Sequence, residues 1–354
     1  MKVALVIDNN IEFAPYIYTY CDLLKNKYNN IDVLLWNRGS IDYSQNINNF
    51  NVISIINQKD TKNKIKLLWS KYIFCNKVFN YINHRKYDRI IVFNEDILLL
   101  LKKMNNVILD NRDLKVIRNN SRVSKFILKR KLKNVVGVIH ASDAFSDYYF
   151  NQYNYNNNYI FYNIPMELGG KLQENIKLND NTNKSNLTIG FIGVIRYIDQ
   201  LRMLINSTRN TNFNVKISGG GKDYFEIKEY SKDFNHVKVE GKFDSRDTLK
   251  KYEDIDVIYS LYNTLNENVK LALPNKLAYS ILLQKPIIVS RGTYLQKVVE
   301  EYNIGYAVAD GDEEDLKIQL QKVYSNYRKF DFNYARKVFC EKIEDQKRKL
   351  INIL

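Results

Sequence analysis

Three short stretches carry side chains suited to gripping a phosphate-bearing group. In LALPNKLAYSILLQKPIIVS, residues 271–290, Pro274, Asn275 and Lys276 open an apolar segment with helical character. Proline is tolerated at a first helical position, because its missing N–H would be unpaired there anyway. The N–H groups of Asn275 and Lys276 then lie at the positive end of the helix dipole, and Lys276 adds a full charge. That makes a phosphate cradle without a glycine-rich loop; an ordinary capped helix is the plainer alternative. Arg196, in GFIGVIRY, directly follows a strand-like run. A guanidinium there suits a bidentate grip on phosphate, and equally a solvated surface arginine. SGGGK, residues 218–222, lies between a strand-like and a helix-like stretch. Gly219, Gly220 and Gly221 either let the backbone approach a ligand or make a tight turn.

Other chemistries lack their signatures. The loop DNNIEFAPY (8–16) after the first strand has no glycine, GFIG at 190–193 has the wrong spacing for GxGxxG, and SGGGK is not a GxxxxGK loop. Asp254-Ile255-Asp256 is formally a DxD, but it falls at the N-terminal end of a strand, the wrong edge for a metal site, and reads as structural. His84, His140 and His236, with Cys21, Cys75 and Cys340, form no zinc set. No metal is therefore expected. The cysteines, odd in number, far apart and never in CxxC, read as reduced thiols. His140, at a strand end, reads as a satisfied buried histidine.

The elements that must position these residues follow a repeated rhythm of apolar run, turn and amphipathic stretch. KVALVI (2–7), DVLLW (32–36), NVISII (51–56), DRIIVF (88–93), NVILD (106–110) and VVGVI (135–139) alternate with helical spacing over 15–28, 62–84 and 113–133. The pattern restarts with LTIGFIG (187–193), FNVKIS (213–218), HVKVE (236–240), DVIYS (256–260), KPIIVS (285–290) and GYAVA (305–309). Alternation of this kind predicts two doubly wound α/β domains, at a length too great for one ordinary core. The boundaries expected are 1–168, a polar linker over 169–186, 187–330, and a C-terminal helix over 331–354 packing back on the first domain. Two such domains facing across a cleft would place ligands at the C-terminal sheet edges.

The 354 residues carry a net charge of +15, a field that draws phosphates without saying whose. No apolar run is long enough to span a bilayer, and the N-terminus reads as a strand rather than a signal peptide. The positive charge concentrates in KVIRNNSRVSKFILKRKLK (115–133), including Arg122, Lys125, Lys129, Arg130 and Lys133 among apolar residues. As a helix it would be basic and amphipathic, fit to lie on anionic lipid or simply to cover the sheet with a solvated face. KIKLLWSKYIFCNKVFNYI (64–82) adds Trp69, Tyr72 and Phe74, which suit a membrane interface. No RRM, KH or helix-turn-helix pattern accompanies the charge, so nucleic acid is not an expected partner.

Taken in order, GFIGVIRYIDQLRMLI, NVKISGGG, VKVEGKF, YEDIDVIYSLY, PNKLAYSILLQKPIIVS and IGYAVADGDEEDL resemble the nucleotide-sugar domain of GT-B glycosyltransferases, family 4 type, of bacterial capsule, exopolysaccharide and lipopolysaccharide assembly. The resemblance covers 187–320 well; in the first domain it rests on VILDNRD and on VVGVIHASDAFSDYYF followed by YIFYNIP. It implies that Arg196, Lys276 and Asn275 hold the donor diphosphate, and that Gly219, Gly220, Gly221, Lys242, Phe243 and Tyr279 flank the nucleotide. Asn268 and Lys270 would lie near the donor sugar. Asp110 and Asp113 would sit at the acceptor, as general base or as a stabiliser of positive charge at the anomeric carbon, although Asp113 also suits a helix N-cap. The family's ribose-binding glutamate is replaced here by Tyr279, and a second glutamate eight residues earlier by Leu271.

The implied activity is transfer of a sugar from a nucleotide-sugar, UDP-linked before GDP-linked, to a saccharide or lipid-linked saccharide acceptor. It would be retaining, without metal or other cofactor, in the cytoplasm or on the anionic inner face of the cytoplasmic membrane. A non-catalytic donor-binding subunit and a nucleotide-sugar epimerase are the alternatives on the same fold.

Overall fold

A computed structural model describes residues 1–39, 41–43, 50–59, 61–114, 121–172 and 184–354. Most of the expected linker, 173–183, and the start of the basic run, 115–120, lie outside the described residues. The chain divides into two units: residues Met1–Met166 with Ile343–Leu354, and residues Glu167–Lys342.

In the first unit the apolar runs form β1 (Lys2–Ile7), β2 (Asn30–Asn37), β3 (Asn51–Asn57), β4 (Arg89–Phe93), β5 (Val107–Asn111), β6 (Val135–His140) and β7 (Asn158–Ile160). They pair in parallel in the order β3-β2-β1-β4-β5-β6-β7. β1 shows why such runs are continuous rather than alternating: all its residues after Lys2 are buried, as expected of a strand covered on both faces. β7 was not anticipated, being three residues inside an aromatic stretch with no alternation. Leu350 and Leu354 join the core built on Val3, Leu5, Val33 and Ile91. The C-terminal segment is tied down by Tyr162 N–H donating to the Gln346 side chain at 3.0 Å and by Arg89 Nε donating to the Ile353 carbonyl at 3.2 Å.

The second unit holds β8 (Leu187–Ile192), β9 (Phe213–Ser218), β10 (Val237–Glu240), β11 (Val257–Ser260), β12 (Ile287–Ser290) and β13 (Gly305–Val308), parallel in the order β10-β9-β8-β11-β12-β13. Two long helices, Glu313–Asn326 and Asn333–Ile353, follow. Each sheet thus reverses direction at its first strand, which creates a switch point beside β1 in one unit and beside β8 in the other. Open α/β sheets bind ligands outside the strand C-termini at such points. The architecture is the expected one: two Rossmann-like, doubly wound parallel sheets and a helical C-terminus.

Candidate functional site

The switch point of the second unit lies between β8 and β11, and Lys276 reaches it. The Lys276–Leu283 helix packs every residue but its last into the interior, including Lys276 itself, which is 5% exposed. Its ammonium donates to the Tyr262 hydroxyl at 2.9 Å and stands 4.0 Å from the ring centre of Phe191, on β8. Tyr262 follows β11, so the charge is set over the ends of the two strands that define the switch. No carboxylate pairs with it among the described residues. An interior cation without an anion is expensive; a cation facing an anion-binding position is the arrangement that offsets the expense. Pro274 stands two residues before the first helical position rather than at it: Asn275 occupies the cap position, and the Pro274 carbonyl already accepts from Leu277 N–H at 3.0 Å.

Arg196 emerges exposed from the end of β8, with its guanidinium 5.3 Å from the centre of the Tyr197 ring. Tyr197 in turn meets Tyr262 edge-on at 5.5 Å. Arg196 and Lys276 are therefore linked through two tyrosines, one cation exposed and the other buried. A Cβ on Gly193, at the same strand end, would come within 3.7 Å of the Lys276 Nζ, so the backbone there runs close under the ammonium.

The SGGGK turn owes its glycines to the chain beside it. A Cβ on Gly219 would lie 1.8 Å from the Gly193 carbonyl oxygen, and one on Gly221 would lie 2.1 Å from that of Ile195. The turn is stitched to the end of β8 by Gly193 N–H to Ser218 O at 3.0 Å and Ile195 N–H to Gly220 O at 2.9 Å. The tight-turn reading accounts for Gly219 and Gly221; the same stitching fixes the backbone on which Arg196 is mounted. Lys242 is exposed beside Gly220, and Phe243 is half-buried with the Lys251 ammonium 5.8 Å from its ring centre.

Tyr279 is buried at 3% exposure, stacked on Tyr252 with ring centres 3.8 Å apart, and its hydroxyl donates to the Glu167 carboxylate. Burial, reinforced by that carboxylate, raises the phenol well above its ordinary range. The stretch after β11 contains a short helix, Glu267–Leu271, capped by the Asn266 side chain. Both Asn268 and Lys270 ride on it, and Lys270 pairs with Glu267 at 2.7 Å.

The Asp254-Ile255-Asp256 carboxylates are engaged in the fold. Asp254 pairs with Lys216 at 2.9 Å; Asp256 pairs with Lys184 at 2.8 Å and accepts from Thr188 N–H at 2.8 Å. Among the described residues no cluster of three or more His, Cys, Asp or Glu has metal-holding geometry. Lys285, read from sequence as part of a strand, is instead a buried lysine just before β12. It donates to the carbonyls of Glu253 and Ile255, and burial pushes its ammonium down to about 8.

In the first unit, β5 carries both candidate carboxylates to its C-terminal end, with opposite environments. Asp110 is fully buried, pairs with the Arg112 guanidinium at 2.5 Å and accepts from the Tyr20 hydroxyl. Burial pushes its carboxyl up, against the pull of Arg112. A carboxylate with no exposed surface positions Arg112 rather than meeting a ligand. Arg112, which sequence reasoning passed over within VILDNRD, also donates to the Phe161 carbonyl at 3.2 Å. Asp113 is exposed just beyond the strand; the residues that would form the helix it caps are not described. The switch point beside β1 holds an ion cluster that sequence reasoning did not anticipate: Lys71 bridges Asp8, at 2.7 Å, and Asp96. His140 is buried, with Nε2 2.9 Å from the Asn158 side-chain oxygen, and burial lowers it to about 4.

The described part of the basic stretch forms the helix Arg122–Leu132, buried through Leu128 and Leu132. Arg122, Lys129, Arg130 and Lys133 are exposed and Lys125 is half-buried, while Val123 and Phe126 are also exposed, at 67% and 62%. On the helix Lys64–Asn83, Trp69 and Tyr72 are exposed as an interface would need. Phe74 is not: it is a core residue packed on Trp36, because it lies on the sheet-facing side of that helix. No helix among the described residues is long and apolar enough to cross a membrane.

No family model matches the chain, and no curated protein matches its sequence. Solved structures do resemble it. HepE from Anabaena, in complex with UDP-glucose, matches with a TM-score of 0.68 and 14% identity over 100% of both chains. A glycosyltransferase from Rickettsia africae matches with a TM-score of 0.69 and 12% identity, over 99% of this chain and 97% of the other. A UDP-N-acetylglucosamine 2-epimerase from Rickettsia bellii matches with a TM-score of 0.57 and 12% identity, over 99% and 97%. At such identity the likeness establishes the fold, which is GT-B.

Proposed function

We propose that this chain transfers a glycosyl group from a nucleoside diphosphate sugar to a saccharide acceptor. The observation that carries the reading is the Lys276 ammonium, buried, paired with no carboxylate among the described residues and set at the switch point of the second sheet. In this reading Lys276 holds the donor diphosphate as a fixed charge, Arg196 closes on it as a movable one, and Asn275 adds the helix start. As the sugar–phosphate bond breaks, charge builds on the leaving diphosphate, and a positioned cation stabilises it with no reorganisation at that moment. Two cations supply this charge where a divalent ion would otherwise be required, so the reaction is assigned as metal-independent.

The glycine turn, Lys242, Phe243 and Tyr279 are assigned to the nucleotide side, and Asn268 and Lys270 to the sugar. UDP is the first donor to test, because the HepE structure carries UDP-glucose, and GDP the second. On the acceptor side the exposed Asp113 is the carboxylate assigned to the chemistry, with Asp110 behind it holding Arg112. A retaining course, a lipid-linked acceptor, a role in bacterial surface polysaccharide and residence on the cytoplasmic membrane face come from the sequence resemblance. The exposed basic and aromatic side chains of the two first-unit helices support the membrane assignment.

A thermal-shift screen with UDP, GDP, CMP and their sugars tests the donor assignment: a nucleoside diphosphate should stabilise the protein, and Lys276→Ala should abolish the shift. Stabilisation by none of them removes the basis for the reading. The likeness to an epimerase structure favours a second reading, which differs in needing no acceptor: an altered sugar formed from the donor alone would establish it.

A further inference from the structure

A pocket of about 370 Å³ lies in the first unit, remote from the carboxylates of β5. That size falls within the range of small-molecule sites, ~300–1,000 Å³. Its apolar wall includes Leu98, Leu101, Met104, Val107, Ile127 and Val135. Val107 and Val135 open β5 and β6 and pair in register, so the pocket sits at the N-terminal edge of the sheet. Asp110 and Arg112 stand at the opposite edge, a strand length of roughly 13 Å away at about 3.3 Å per residue. Whatever occupies the pocket is therefore not the group undergoing reaction there.

The pocket's charged lining is of one sign. Lys102, Lys103, Arg130 and Lys131 contribute to it, and among the described residues no acidic one does. Lys131 donates to the Leu101 carbonyl and the Lys102 ammonium lies 5.1 Å from the centre of the Phe79 ring. None of the four pairs with a carboxylate among the described residues. Phe126, 62% exposed, adds an aromatic ring to the lining.

We propose that this pocket seats the alkyl chain of an anionic lipid, with the lipid's phosphate held by Lys102, Lys103 and Arg130. The apolar wall gains from an alkyl occupant that leaves water for it, while cations at its edge that pair with no carboxylate among the described residues select a phosphate headgroup by charge. Binding is non-covalent and does not depend on the donor-site assignment. It converts a general attraction to an anionic surface into the capture of one chain from it.

The test is isothermal titration with decyl phosphate below its micellar concentration, beside decyltrimethylammonium and inorganic phosphate. One decyl phosphate should bind per chain, octyl phosphate roughly fifteenfold more weakly at about fourfold per methylene, and neither control measurably. Met104→Trp, which fills the pocket, should abolish binding. Should that variant fail to fold, the exposed pair Lys103→Glu with Arg130→Glu should weaken decyl phosphate at least tenfold and leave thermal unfolding unchanged. Equal binding of the cationic amphiphile, no binding of decyl phosphate, or binding that survives the folded variants would overturn the proposal.

Discussion

Replacing Lys276 by methionine keeps a stem of similar length and removes the charge, and the structure sets the sign of two separate effects. In the unliganded protein the ammonium is 5% exposed, with a phenol oxygen at 2.9 Å and a ring centre at 4.0 Å as its nearest partners. Substituting buried ionic groups by apolar side chains of similar volume is often neutral or stabilising by ~1–4 kcal/mol. The Tyr262 hydroxyl loses one hydrogen bond, which costs about 1 kcal/mol. The net expectation is an unliganded protein no less stable than the parent, with Tm unchanged or raised at ~2–4 °C per kcal/mol. Nucleotide binding moves the other way. A charge-assisted hydrogen bond to a phosphate is worth about 1.5–3 kcal/mol, so UDP should bind roughly 10- to 150-fold more weakly. Calorimetric unfolding without ligand and titration with UDP read the two effects independently. A variant that loses more than about 3 kcal/mol of stability yet keeps its UDP affinity would show that Lys276 serves the core, and would refute the reasoning.

Arg112→Met strands the buried Asp110 carboxylate and should destabilise by ~3–5 kcal/mol in urea unfolding, with much of the loss recovered in Arg112→Met/Asp110→Asn. His140 is neutral when folded, with its pKa lowered to about 4 by burial. Between pH 6.5 and 4 the unfolded chain binds the proton and the folded chain does not, so this group's share of stability, up to about 3 kcal/mol, falls away as pH drops through that window. His140→Gln should flatten that part of the stability–pH curve, and an unchanged slope would count against it. Tyr279→Phe keeps the stacking on Tyr252 and loses the bond to Glu167, so stability should drop by about 1–3 kcal/mol by thermal unfolding. A concurrent loss of UDP affinity would place the hydroxyl or Glu167 against the nucleotide.

The β-strands were legible because parallel strands buried on both faces read as unbroken apolar runs, and the restart at Leu187 marked a second sheet. β7 and the Glu267–Leu271 helix escaped notice because three and five residues are too few for a periodic signal. The positions of Arg196 and Lys276 near the strand ends followed from their place after or before those runs. What sequence does not display is burial of a particular atom. Asp110 and Asp113 look alike in VILDNRD, yet one is sealed behind Tyr20 and Arg112 and the other is exposed, a difference set by the distant Tyr16–Leu24 helix that supplies Tyr20. Phe74 and Trp69 lie five residues apart on one helix, about 140° around its axis at 3.6 residues per turn, so the first faces the core and the second faces out. The glycines of SGGGK signalled a constraint correctly but not its source, since the atoms that forbid a Cβ belong to Gly193 and Ile195.

The central claim is that a sugar leaves a nucleoside diphosphate held at Lys276 and Arg196. Its most direct test is to incubate the protein with a panel of UDP- and GDP-sugars, with and without an acceptor lipid extract, and to measure free nucleoside diphosphate and the fate of the sugar. The account predicts that one donor releases its nucleoside diphosphate in step with sugar appearing on the acceptor, only when acceptor is present. Release from no donor under any condition, or an altered free sugar formed without acceptor, would contradict it.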